Sequence, residues 1–155
     1  MNSPSPQRRR VDAEGAEDFP AVELTERVIG AAIEVHRELG PGLLESAYQR
    51  CLAIEMTAKG IAYERERPVA IVYRGTTIDE AYRLDFLVEK QLVVEVKSVA
   101  ALEPIHEAQV LTYLRAGQRP VGLLLNFNAA VLKRGIKRLA RTRAGDLGLT
   151  RRRLL

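Results

Sequence analysis

One short stretch, Tyr82 to Ser98 (YRLDFLVEKQLVVEVKS), brings together residue types that can do chemistry. Asp85, Glu95 and Lys97 fill polar positions in two segments that are otherwise apolar: Leu84, Phe86 and Val88, then Leu92, Val94 and Val96. This period of two predicts two strands, and the polar Glu89-Lys90-Gln91 between them predicts a hairpin. If all six apolar residues share a buried face, Val88 must oppose Leu92 across a three-residue loop. Asp85 then stands opposite Glu95, with Lys97 one pleat further along the same face. Facing carboxylates repel unless a cation, a shared proton or wide solvation intervenes. A hard divalent cation such as Mg²⁺ suits them best, because it prefers carboxylate oxygens. An ordinary solvated sheet face would carry the same charges, so the elements around the hairpin must decide.

Upstream, the spacing predicts a helix capped at Thr25 and running to Leu39, with Val28, Ile29, Ala32, Ile33, Val35 and Leu39 as its apolar stripe. Gly40-Pro41-Gly42 ends it. His36 lies at the stripe's edge, where a packed residue is expected more often than a ligand or base. A second helix is predicted over Leu43–Lys59, with Leu44, Ala47, Tyr48, Cys51, Ile54 and Ala58 on its buried face and Gly60 as its stop. Glu45 falls at the border of that face, on the side of Leu52 and Met56, from which it can point across the sheet toward Asp85. A first-turn glutamate that only complements the helix dipole would look the same.

Ile61–Tyr73 reads as one or two strands, with Pro68 marking a break or an edge position. Downstream, Pro104 opens a third helix over about 104–116, closed by Gly117, and Gln109 and Tyr113 share one of its faces. Pro120–Asn126 (PVGLLLN) predicts a strand covered on both sides. Val131–Arg141 fits either a helix, weakened by Gly135, or a final edge strand.

At 155 residues the chain is long enough for one domain with a real core. No apolar run reaches the length of a membrane span, and no apolar segment follows the N-terminal arginines. Cys51 is the single cysteine, which excludes an intrachain disulfide and a cysteine-based metal site and suits the cytoplasm. Residues 1–20 read as a disordered segment, 21–140 as the folded domain and 141–155 as a basic tail. The net charge of +4 conceals an asymmetry: residues 133–155 carry nine Lys/Arg and one acid, Asp146. That end could track a phosphate backbone or simply be solvated.

In order, helix, helix, three strands, helix and strand, with Asp85 and Glu95-Val96-Lys97 on adjacent central strands, the chain resembles the PD-(D/E)XK nuclease superfamily. The likeness is closest to the GxxExxY group, whose motif is matched by Gly42-Leu43-Leu44-Glu45-Ser46-Ala47-Tyr48. Gln109 and Tyr113 resemble the Gln-x-x-x-Tyr element of RecB-type members, and Leu123-Leu124-Leu125-Asn126-Phe127 resembles the late apolar strand. No proline precedes Asp85, where Leu84 stands. The resemblance covers about residues 24–140. It implies an α/β restriction-endonuclease-like core with a mixed central sheet flanked by helices.

It also implies a metal-dependent nuclease that hydrolyses phosphodiesters, with DNA favoured over RNA and no membrane partner. Asp85, Glu95, Glu45 and the Val96 carbonyl would hold Mg²⁺, for which Mn²⁺ can substitute. Lys97, Gln109 and Tyr113 would act on the attacking water and the phosphate. The alternative is a catalytically silent module of the same fold that binds nucleic acid or a protein.

Overall fold

The structure is a computed structural model that describes residues 21–141 and the backbone of 151–152. The predicted N-terminal segment and nearly all of the basic tail lie outside the described residues. Helix α1 spans Val22–Leu39 and α2 spans Glu45–Ala58. Strands β1 (Tyr63–Tyr73), β2 (Thr76–Val88) and β3 (Leu92–Lys97) follow, then α3 (Pro104–Ala116), β4 (Val121–Asn126) and β5 (Ile136–Ala140). A two-residue β6, Arg151–Arg152, pairs with β5. The sheet is ordered β1-β2-β3-β4-β5-β6 and is mixed: only β3 and β4 run parallel, as expected for strands joined through a crossover helix. No helix among the described residues is long and apolar enough to cross a membrane.

Helices α1 and α2 cover one face, packing Val28, Ala32, Val35, Tyr48, Leu52 and Met56 onto Phe86, Val88, Leu92, Val94, Val96 and the odd positions of β4. Helix α3 covers the other, with Val110 and Leu114 against Leu84, Leu87, Val93, Leu124 and Leu139. Every residue of β4 is therefore buried, as its unbroken apolar run predicts. Gly122 sets how closely α3 approaches: a Cβ there would lie 2.5 Å from Val110 Cγ1. The missing side chain lets the helix settle against β4.

Several expectations are corrected. Thr25 lies inside α1 and not at its cap; its hydroxyl donates to Ala21 O at 2.8 Å, one turn back. The core face of α2 is Tyr48, Leu52, Ala53 and Met56, while Leu44 and Ile54 are exposed. Two stripes of that helix have apolar spacing, and the contact with α1 and the sheet selects the one led by Tyr48. Leu39, at the end of α1, is likewise exposed. Leu84 does not share a face with Phe86 and Val88; it belongs to the α3 side. The alternation slips at Asp85, where Arg65 pairs with Phe86 and Arg67 with Leu84, while Glu66 between them has a φ of 51°. A left-handed non-glycine residue marks a strained kink in the edge strand.

Residues 63–73 form a single edge strand, and Pro68 sits within it without breaking it. Val131–Arg141 is neither a full helix nor wholly a strand: a 3₁₀ turn over Leu132–Gly135 leads into strand β5. Helix α3 begins at Pro104 and reaches Ala116, with Glu103 and His106 forming a reciprocal cap at its start.

Candidate active site

The predicted register holds where it matters. Val88 pairs with Leu92 and Phe86 with Val94, so Asp85 and Glu95 come next, at the point where β2 and β3 part. There side chains replace the backbone ladder. The Asp85 N–H donates to Glu95 Oε1 at 3.2 Å, and the Val96 N–H donates to Asp85 Oδ2 at 2.8 Å. Each carboxylate thus satisfies a backbone donor that the opening of the sheet would otherwise orphan.

This is not a solvated face, because Glu95 is only 4% exposed. Burial, and then the neighbouring Asp85 charge, push the Glu95 carboxyl up to about 8. The Asp85 carboxyl is raised as well, chiefly by burial and further by the Glu45 charge; the Val96 N–H and Lys97 act in the opposite direction. Near neutral pH the metal-free pair therefore retains a proton. Lys97, half-buried one pleat along, acts favourably on both carboxylates.

Glu45 opens α2, half-buried and close enough to Asp85 for its charge to raise that carboxyl. Tyr113 reaches the site from α3: burial, then the charges of Glu95 and Asp85, hold its hydroxyl protonated, pushed up to about 12. Gln109 lies half-buried one turn earlier on α3. Among the described residues, no group of three or more His, Cys, Asp or Glu side chains converges on one point. The close carboxylates are the Asp85–Glu95 pair, with Glu45 acting on it from a distance.

Four supporting residues were not distinguished in the sequence as holding the site. Asn126, beside Lys97 in the parallel register, accepts from the Val99 N–H at 3.1 Å and donates to Val99 O at 3.0 Å. It fixes the chain just after Lys97. Ser98 donates to Leu43 O at 2.7 Å, tying that end of β3 to the loop before Glu45. Tyr82 packs against the Tyr113 ring, 4.2 Å between centres and tilted by 45°, and donates its hydroxyl to Thr112 O, steadying α3. Tyr48 is structural: fully buried and stacked on Phe127, its hydroxyl donates to Gly40 O and accepts from the Leu43 N–H. It thereby shapes the turn that delivers Glu45. His36 bonds through Nε2 to Ala129 O at 2.8 Å, a packing role at the core edge.

A substitution checks the Tyr48 assignment. Tyr48→Phe keeps the stacking and strands Gly40 O and Leu43 N–H, so a denaturant melt should show a loss of about 1–3 kcal/mol. An unchanged midpoint would mean that the loop holds itself.

The profile of the PD-(D/E)XK nuclease superfamily matches residues 22–139. The chain belongs to that superfamily. The match spans nearly all of the described domain and agrees with the α/β core of helices on a mixed sheet. No curated protein and no solved structure matches the chain. Superfamily membership suggests a nuclease acting on nucleic acid, and PD-(D/E)XK nucleases generally use divalent metal ions.

Proposed function

We propose that the protein is a metal-dependent nuclease whose centre is Asp85, Glu95 and Lys97, in a superfamily member of the GxxExxY group. The observation that carries this reading is the carboxylate pair of buried Glu95 and half-buried Asp85. Two acids pressed together, with raised proton affinity and one nearby ammonium, form a site that a divalent cation would relieve. The donor chemistry fits Mg²⁺ or Mn²⁺: Asp85 and Glu95 would hold the ion, aided by the Val96 carbonyl, with Glu45 acting directly or through water. Such an ion, when bound, supplies polarisation of a phosphoryl oxygen and a more acidic water.

The chain's own groups do the rest. Lys97 orients the attacking water or offsets negative charge as it develops on the phosphate. Tyr113, protonated at any physiological pH, keeps a hydroxyl proton to donate, and so it suits a phosphate oxygen. Gln109, on the same helix face, positions the water or the backbone in the manner of the RecB-type Gln-x-x-x-Tyr element. DNA is the favoured substrate. All the side chains needed for hydrolysis are present, which favours catalysis over a silent binding module. A panel of labelled DNA and RNA strands, incubated with Mg²⁺ or with chelator, tests the reading: chelator-sensitive cleavage is expected, strongest on DNA.

A further inference from the structure

Beyond Val69 and Tyr82 the β1–β2 hairpin leaves the body of the protein. Val69 is buried and Tyr82 rests on α3, but from 70 to 81 every residue except Ile71 is exposed. The register shifts between Val69 and Ile71, and Glu80 has a φ of 53°, so an irregularity re-aims the ribbon where it departs. Arg74 and Gly75, with φ of 46° and 78°, make a tight turn at the tip. The arm is rich in β-branched and aromatic side chains, and Val72 and Tyr73 are 71% and 60% exposed. A two-stranded ribbon carrying such residues uncovered is marginal in water, and an exposed apolar patch marks a contact surface. Its charge disfavours nucleic acid: Arg74 is the only cation in 70–81, against Asp79 and Glu80.

A second apolar surface lies on the opposite layer. A groove of about 180 Å³ between α1 and α2 is lined by Val35, Leu39, Cys51 and Ile54, with Glu38 and Glu55 alongside. Apolar space on the order of 150 Å³ accommodates a benzene ring. The arm's tip offers the complement, because the Arg74 guanidinium sits 5.4 Å from the centre of the Tyr73 ring. One surface presents a ring and a positive charge; the other presents apolar space with two acidic residues, Glu38 and Glu55, in its lining.

We propose that the arm docks on a second copy of this chain, placing Tyr73 in the α1–α2 groove and Arg74 between Glu38 and Glu55. Reciprocal exchange closes the assembly as a two-fold dimer in which the contact is made twice. Pairing of β1 edges, the other route to self-association, is opposed by Pro68, which lacks an N–H, and by the kink at Glu66. The proposal stands apart from catalysis, since none of these residues belongs to the active site.

Sedimentation equilibrium of the full chain, without nucleic acid and over about 1–200 µM, tests it. The mass should approach twice the 17.3 kDa of one chain. Tyr73→Ser, and separately Glu38→Arg with Glu55→Arg, should weaken association on the order of a hundredfold, because each change acts at both contacts. Arg74→Glu should weaken it too, and combining Arg74→Glu with the two glutamate reversals should restore it. Circular dichroism confirms folding; these side chains are on the surface, so the folds should be unchanged. A wild-type monomer throughout the range overturns the proposal, as does a dimer that ignores both the Tyr73 and the groove substitutions. Failure of the charge reversal to rescue overturns the assigned pairing of tip and groove.

Discussion

Replacing Lys97 with alanine should slow single-turnover cleavage at saturating Mg²⁺ on the order of a hundredfold or more, the scale of losing one positioned proton-transfer or electrostatic group. The side chain is half-buried at the end of β3, and no packing requirement falls on its ammonium. The backbone around it is held independently: Lys97 O accepts from the Phe127 N–H, and Asn126 clamps Val99. Lys97→Ala should therefore melt cooperatively, close to wild type, and still bind the metal. Lys97→Arg should not rescue cleavage, since a guanidinium is larger, planar and effectively never deprotonated. Cleavage by Lys97→Ala at the wild-type rate would remove the lysine from the mechanism, and loss of the fold would make it structural.

Glu95→Gln should lose about a thousandfold in cleavage while stabilising the metal-free protein at alkaline pH. The stability effect follows from the Glu95 carboxyl being raised to about 8 by burial and by Asp85. Between the ordinary carboxylate range and about 8, the folded protein holds a proton that the unfolded chain has released. Stability therefore falls as pH rises through that window, and is fully present only below it. Metal-free wild type should accordingly show a declining Tm from pH 5 to 8, and Glu95→Gln, which cannot ionise, should lose most of that slope. Added Mg²⁺ or Mn²⁺ should reverse the trend in wild type, because the ion favours the deprotonated pair, and should leave Glu95→Gln nearly unmoved. A wild-type Tm that is flat with pH and indifferent to metal would mean that the pair is solvated.

The central hairpin was legible in the sequence because a three-residue gap and period-two alternation admit one register that buries Val88 with Leu92. Helix α3 was legible from Pro104 and Gly117, which punctuate it at both ends. Other features left no local signal. The kink opposite Asp85 rests on Glu66, a residue type with no preference for a positive φ. It lies beside the point where Leu84 turns to the α3 side. The rotation of α2 was hidden because Leu44 and Ile54 fit a helical stripe as well as Leu52 and Met56 do; the hydroxyl of Tyr48, bonded to the Gly40–Leu43 turn, fixes the choice. The Asn126 clamp joins residues distant in the chain through the parallel β3–β4 pairing, which periodicity does not report. The burial of Glu95 depends on α3 lying close over the sheet, which Gly122 permits.

The central claim is that the Asp85–Glu95 pair is a cation site serving phosphodiester hydrolysis. Its most direct test is one preparation of wild type beside an Asp85→Ala, Glu95→Ala double variant, both stripped of metal. Each is titrated with Mn²⁺ by calorimetry and then assayed on labelled DNA as Mg²⁺ is restored. Wild type should bind the ion and begin to cut when Mg²⁺ returns, while the folded double variant does neither. Equal ion binding by the two proteins, or equal cutting, would contradict the account.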